Sequence, residues 1–184
     1  MARIELWNGD ICDLEVDAIV SPAATSLWMS TGIAGEIKRA GGDAIEFAAL
    51  RQAPVQLGDA IVTPAGNLAA RVVIHAVSLE RDRRTSGTAI DKAARSTMAR
   101  ARELGLTSIA LPALGTGVGG FPLDDAARIA VTAVREELPT SPSIEHVIFA
   151  LRGAAAYNAF ARALSEGEPA PSRPAIQVEP GTPR

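Results

Sequence analysis

The chain has 184 residues, of which 47% are hydrophobic and 4% aromatic, and a net charge of −3 at pH 7. That apolar content supports one good core, so a single domain is expected. A general nucleic-acid binder would need a basic surface and stacking aromatics, and a membrane helix about 18 consecutive apolar residues; neither is present, so no DNA and no membrane are expected as partners.

The opening MARIELWNGD is too polar for a signal peptide, and Ile4–Trp7 within it reads as a strand followed by the turn-prone Asn8–Asp10. Asp10 there is either an Asx-turn residue or an acceptor-only carboxylate for a ligand amine. Cys12, the single cysteine, forbids an internal disulfide or a cysteine-rich metal site and suits a reducing cytoplasm. Its simplest role is that of a small buried hydrophobe. Ala18–Val20 is the second strand. Ala34–Ala40 and Asp43–Gln52 read as helices parted by Gly41–Gly42, and Glu36 in the first of them suits the helix dipole.

Asp59–Pro64 and Arg71–Val77 are β-branched runs joined by a turn around Gly66–Asn67. His75, among Val73, Ile74 and Val77, reads as a satisfied core histidine rather than a base or metal ligand. The next segment, ERDRRTSG, is a charged loop whose Arg81, Arg83 and Arg84 are either simply solvated or available to a modified protein partner. Thr88–Leu104 is a helix, with Thr88 as its cap, Asp91 three residues on, and Ile90, Ala94, Met98 and Ala101 on one face. Leu123–Leu138 is a helix, His146–Leu151 a strand with His146 at the surface, and Ala154–Leu164 a last helix. Two histidines 71 positions apart and one cysteine give no metal-ligand spacing, so no metal is expected. From Glu166 the last 19 residues hold five prolines, which divides the chain into a folded domain, 1–165, and a disordered tail, 166–184. Strands that are apolar on both faces and alternate with helices call for a parallel or mixed sheet covered on each side.

Between the last two strands lies SIALPALGTGVGGFP, in which a short strand empties into four glycines within six residues. Glycines allow successive N–H groups to converge on one concavity, and the helix opening at Pro122 with Asp124–Asp125 adds partial positive charge. The loop has no basic residue, so an anion here would be held by main chain. Gly115, Gly117 and Gly120 also satisfy G-x-G-x-x-G, which keeps a dinucleotide-binding oxidoreductase as an alternative. Against it, position 140 is Thr140 rather than an acidic residue, and the helix starts after the last glycine. A purely structural glycine turn is the remaining possibility.

Several motifs occur in one order: Asn8-Gly9-Asp10-Ile11, Ser21-Pro22-Ala23-Ala24, Thr31-Gly32-Ile33-Ala34-Gly35-Glu36-Ile37, Val73-Ile74-His75-Ala76 and LPALGTGVGGFP. Together they closely resemble the macrodomain family of ADP-ribose-binding modules, from about Arg3 to Leu164. Gly120–Pro122 and Pro22 are closest to members built like the histone-variant macrodomain. The resemblance implies an α/β fold, a three-layer α/β/α sandwich around a mixed central sheet, with no cofactor. It implies that Asp10 and Ile11 take the adenine. Thr31, Gly32 and Ile33 would form one diphosphate loop and Gly115, Thr116, Gly117 and Val118 the other. Ala23 belongs to the implied ligand-binding set, Gly119 stands where an aromatic often covers the distal ribose, and Arg152 where an aromatic usually stacks on the base. Ala24 and Ala34 stand where an asparagine and an aspartate are usual in hydrolytic members, so no catalytic residue is assigned. The expected ligand is ADP-ribose or a related nucleotide, free or on a protein, bound by a cytoplasmic monomer. Two functions stay open: slow hydrolysis of ADP-ribosyl esters (on glutamate or aspartate, or O-acetyl-ADP-ribose), the one favoured, and binding without turnover.

Overall fold

The computed structural model describes residues 2–166, so the proline-rich tail lies outside the described residues except for Glu166. The first half runs β1 (Arg3–Asn8), β2 (Val16–Ala24), α1 (Gly32–Gly41), α2 (Asp43–Leu50), β3 (Ala60–Pro64) and β4 (Ala70–Leu79). The second half runs α3 (Gly87–Glu103), β5 (Ser108–Leu111), α4 (Leu123–Glu137), β6 (His146–Leu151) and α5 (Gly153–Ser165). The sheet order is β1-β6-β5-β2-β4-β3. Every neighbouring pair is parallel except β3 with β4, so the sheet is mixed as expected.

Side chains alternate across a strand, and here both alternating sets are apolar. Ala18 and Val20, Ile74 and Ala76, Ile109 and Leu111, and Val147 and Phe149 face the core shared with α3, α4 and α5. Their neighbours Ile19, Val73, Ala110 and Ile148 face a second core with Ile37 of α1 and Ile45 of α2. That is the physical content of three layers: a sheet with no solvent face needs helices on both sides. On the larger side the rings of Phe149 and Phe160 meet at 4.9 Å between centroids.

The helix starts differ from expectation: α1 begins at Gly32 rather than Ala34, α5 at Gly153 rather than Ala154, and α3 has a different cap. α3 is capped by Ser86, whose hydroxyl accepts from the Ala89 N–H at 3.1 Å, rather than by Thr88. Ser86 is extended and Gly87 already helical, which carries Thr88 past the cap position. Asp91 instead pairs with Arg95, which also reaches Glu136 and Glu137 and so ties α3 to α4.

His75 is 1% exposed, and its Nε2 lies 2.9 Å from Thr63 Oγ1 on β3. Burial pushes its pKa down to about 4. Between pH 6.5 and 4 the unfolded chain therefore binds a proton that the folded chain does not, and stability falls as the pH is lowered through that window. The loss attributable to His75 is roughly 3 kcal/mol. Chemical denaturation at pH 7 and pH 4.5 should show a smaller drop for His75→Gln than for the unaltered chain. An equal drop would mean that His75 does not contribute to acid sensitivity.

Candidate functional site

Five parallel strands end on one edge of the sheet, and in open α/β sheets ligands bind beyond the carboxyl ends of the strands. Along that edge the segments after β1, β6, β5, β2 and β4 stand side by side in this order. They enclose a pocket of about 520 Å³, within the range of a small-molecule site. At about 4.8 Å per strand, the edge from β1 to β4 covers about 19 Å. The cleft is therefore elongated, with distinct ends.

The β1/β6 end is built around Asp10. Its Oδ1 accepts from the Cys12 N–H at 2.9 Å, capping the short 3₁₀ turn Ile11–Asp13. Its Oδ2 is 3.0 Å from Arg152 Nη2. The turn bond and the ion pair thus use different oxygens of one carboxylate. The Cys12 amide above all, with Arg152 beside it, holds Asp10 below the usual carboxylate range. Arg152 also reaches Glu36 Oε1 at 2.7 Å, so Glu36 does more than complement the α1 dipole: it fixes the guanidinium at the pocket wall. Cys12 is half-buried, and burial followed by the Asp10 charge pushes its thiol up to about 12. Its alkylation by iodoacetamide at pH 8 is expected to require unfolding. Rapid labelling of the native protein would contradict this placement of Cys12.

The middle of the pocket is main chain. Thr31 precedes α1 without a side-chain cap, leaving the amides of Gly32, Ile33 and Ala34 with no acceptor among the described residues. In the loop after β5, the amides of Gly115, Thr116, Gly117, Val118 and Gly119 likewise have none among the described residues. Both segments line the pocket. Such rows of free N–H groups are concave anion sites, and one of them carries the positive end of a helix. The loop holds its shape by Phe121 N–H donating to Gly115 O and Thr116 Oγ1 to Ala113 O. Gly115, at φ 79°, has the left-handed backbone that glycine tolerates. At Gly119 a Cβ would lie 2.8 Å from Gly115 O, so no side chain fits where relatives were expected to carry an aromatic.

Besides Arg152, which is tied to Asp10 and Glu36 where it was expected to stack on a base, the structure departs from expectation at two places in this site. The N-terminus of α4 does not reach the pocket: the Phe121–Gly115 hydrogen bond folds the loop back before Pro122, and the helix dipole at the site is that of α1. Ala23 faces away, 6% exposed and packed with Leu27, Ala49 and Val77, while its neighbours Pro22 and Ala24 line the pocket. Strand alternation dictates this, and the β2/β4 register shift falls between Ala23 and Ala24. The other expected residues, Ile11, Thr31 to Ile33, Gly115 to Gly119 and Arg152, do line the pocket, with Asp10 bonded at its rim.

The β2/β4 end was not foreseen. Trp28 and Arg81 with Arg83 line it, the arginines coming from the charged loop read as either solvated or available to a modified protein partner. Buried Glu46 holds the Trp28 loop from below, accepting from Met29 N–H at 2.8 Å and Lys38 Nζ at 2.7 Å. Thr85 Oγ1, donating to Ser78 O at 2.6 Å, anchors the arginine loop. No Asp, Glu, His, Cys, Lys or Tyr lines the pocket among the described residues; Arg81, Arg83 and Arg152 are its charged side chains. Clusters of three or more metal-ligating side chains are likewise absent among the described residues.

The macro domain family model matches residues 20–130. A macro domain-containing protein of Streptomyces nogalater is 41% identical over 176 residues, covering 90% of this chain and 94% of that protein. A Mycobacterium tuberculosis protein is 46% identical over 168 residues, covering 91% of this chain but 46% of its own, so this chain spans about half the length of its mycobacterial relatives. Among solved structures, the Trypanosoma brucei macrodomain in complex with ADP-ribose superposes with a TM-score of 0.81 at 30% identity, over 88% of this chain and 68% of that one. The Oceanobacillus iheyensis macrodomain with ADP gives 0.81 at 25% identity, over 89% and 90%.

Proposed function

The chain belongs to the macrodomain family, and from that premise we propose that its pocket binds ADP-ribose and slowly hydrolyses ADP-ribosyl esters of carboxylic acids. The observation that carries the binding is the pair of free-amide segments that line one pocket between its two ends. A diphosphate between two nucleoside-sized ends matches that layout. The adenine lies at the Asp10 end, where the carboxylate accepts from its exocyclic amine, and the distal ribose lies towards Ala24 and Arg81. The complexes of the trypanosomal macrodomain with ADP-ribose and with ADP support the same ligand class.

The chemistry follows from what the lining lacks. Water adds to C1″ of the distal ribose, the C1″–O bond breaks, and the carboxylate departs with the bonding pair. The water proton passes to solvent or to a diphosphate oxygen, because no side chain able to act as a base at neutral pH lines the pocket. General acid–base assistance is worth about 10²–10⁴-fold, so turnover is slow by that factor. The same deficit favours a second reading, a reader that binds ADP-ribosylated protein without turnover. Release of ADP-ribose from glutamate-modified protein, compared with calorimetric binding of free ADP-ribose, separates the two. Binding without release selects the reader.

Affinity should rank ADP-ribose above AMP, which fills one end of the cleft. Asp10→Ala removes the adenine acceptor and is expected to weaken ADP-ribose binding by about 1–3 kcal/mol. An unchanged heat and affinity in a folded Asp10→Ala protein would displace the base from this end.

A further inference from the structure

The pocket does not stop at its β2/β4 end. A second groove of about 330 Å³, lined by Thr25, Ser26, Trp28, Ala53, Pro54 and Arg81, continues from it, and the two share Ser26, Trp28 and Arg81. Trp28 is 63% exposed, which is unusual for a residue that is normally covered. Arg81 and Arg83 are both exposed and have no carboxylate partner among the described residues, whereas Arg84 beside them is paired with Asp82. The two loops at this end also carry the positive-φ non-glycine residues of the described chain, Leu27 at 61° and Arg83 at 70°. A leucine there is costly, and such strain persists where the surroundings over-determine it, commonly at binding sites.

Direction decides what the groove meets. With the base at Asp10 and the diphosphate over the central strands, the far end of ADP-ribose points at Ala24, Trp28 and Arg81. That end carries C1″, the atom through which ADP-ribose is joined to a protein. Whatever is attached at C1″ leaves the pocket across Trp28 and along Thr25, Ala53 and Pro54.

We propose that this groove docks the polypeptide segment flanking the modified residue, and that it selects acidic segments. The inference rests on the proposed ADP-ribose site. Arg81 in the groove and Arg83 in the adjoining pocket supply the charge complementarity, and Trp28 with Pro54 supplies a flat apolar strip against which an extended chain lies. Rim charges of this kind contribute modestly and act through selectivity more than total affinity.

The test uses peptides mono-ADP-ribosylated through a hydrolysis-resistant linkage, with Asp/Glu-rich, Ala/Ser-rich or Lys/Arg-rich flanks, alongside free ADP-ribose and poly-ADP-ribose. The acidic-flank peptide is expected to bind at least about fivefold more tightly than the Lys/Arg-rich one. Arg81→Glu should reverse that order. Thr25→Glu, in the groove but outside the pocket, should remove the preference while free ADP-ribose still binds, which also reports an intact fold. Equal affinity for all flanks overturns the proposal, as does preservation of the acidic preference in Arg81→Glu. Tighter binding of poly-ADP-ribose than of the acidic-flank peptide overturns it in favour of a second nucleotide unit. Loss of free ADP-ribose binding in the unaltered protein would instead remove the underlying site.

Discussion

Gly117→Glu is expected to abolish ADP-ribose binding without unfolding the protein. A Cβ built at Gly117 meets nothing within 4 Å, and its backbone φ is not in the left-handed region, so the fold accommodates a side chain. The residue lines the pocket, however, and the added carboxylate stands beside the amides proposed to hold the diphosphate. Two like charges about 4 Å apart at an effective dielectric of about 20 repel by about 4 kcal/mol, or roughly a 10³-fold loss of affinity before any steric clash. Gly117→Ala is the control. It keeps every amide, adds one methyl group in open space, and should bind nearly as well as the unaltered chain. Calorimetry on both, with thermal unfolding as the check on folding, decides the matter. Normal binding by Gly117→Glu would make the loop a structural turn and remove the basis for a phosphate site.

The two segments of free main-chain amides that line the pocket were legible because such runs are local objects. Glycine spacing after Leu111 and the turn before α1 contain the whole device within one stretch of chain each. The alternation that sets both cores was legible for the same reason: it has a period of two residues and needs no partner. Strand order is not local. Nothing between Glu80 and Gly87 indicates that β4 lies beside β2 at the end of the cleft, and only that adjacency turns Arg81 and Arg83 from solvated charges into pocket wall. Trp28 was passed over for a similar reason, since an aromatic in a loop is as easily buried as displayed. Ala23 was misplaced by one residue, the smallest error strand periodicity allows, at the point where the β2 register shifts. Arg152 was expected to stack on the base. The structure ties it to two carboxylates, Asp10 and Glu36, which raise its pKa, Glu36 foremost. In the proposed complex, adenine would compete with Arg152 for Oδ2 of Asp10.

The largest effect on rate is expected from the linkage rather than from any side chain. A glutamate leaving group has a conjugate-acid pKa of about 4.3 and departs as a stable anion, whereas a guanidine departs from a group with a pKa above about 12. Guanidine is therefore the poorer leaving group even from its already protonated linkage, and a serine alkoxide needs a proton delivered in the transition state, which no group of the pocket lining could supply at neutral pH except guanidinium ions. Glutamate and aspartate esters should therefore be cleaved while serine and arginine linkages are spared, by at least the worth of general acid catalysis, about 10²–10⁴-fold. His75→Ala offers the complementary control. Its imidazole is buried against Thr63 within the sheet and does not line the pocket, so ester cleavage should survive in the folded variant while Gly117→Glu loses it. The measurement is release of ADP-ribose from substrates of defined linkage, followed by mass spectrometry. Efficient cleavage of the serine linkage would require an acid that enters the cleft when substrate binds, and efficient cleavage of the arginine linkage would contradict control of the rate by the leaving group.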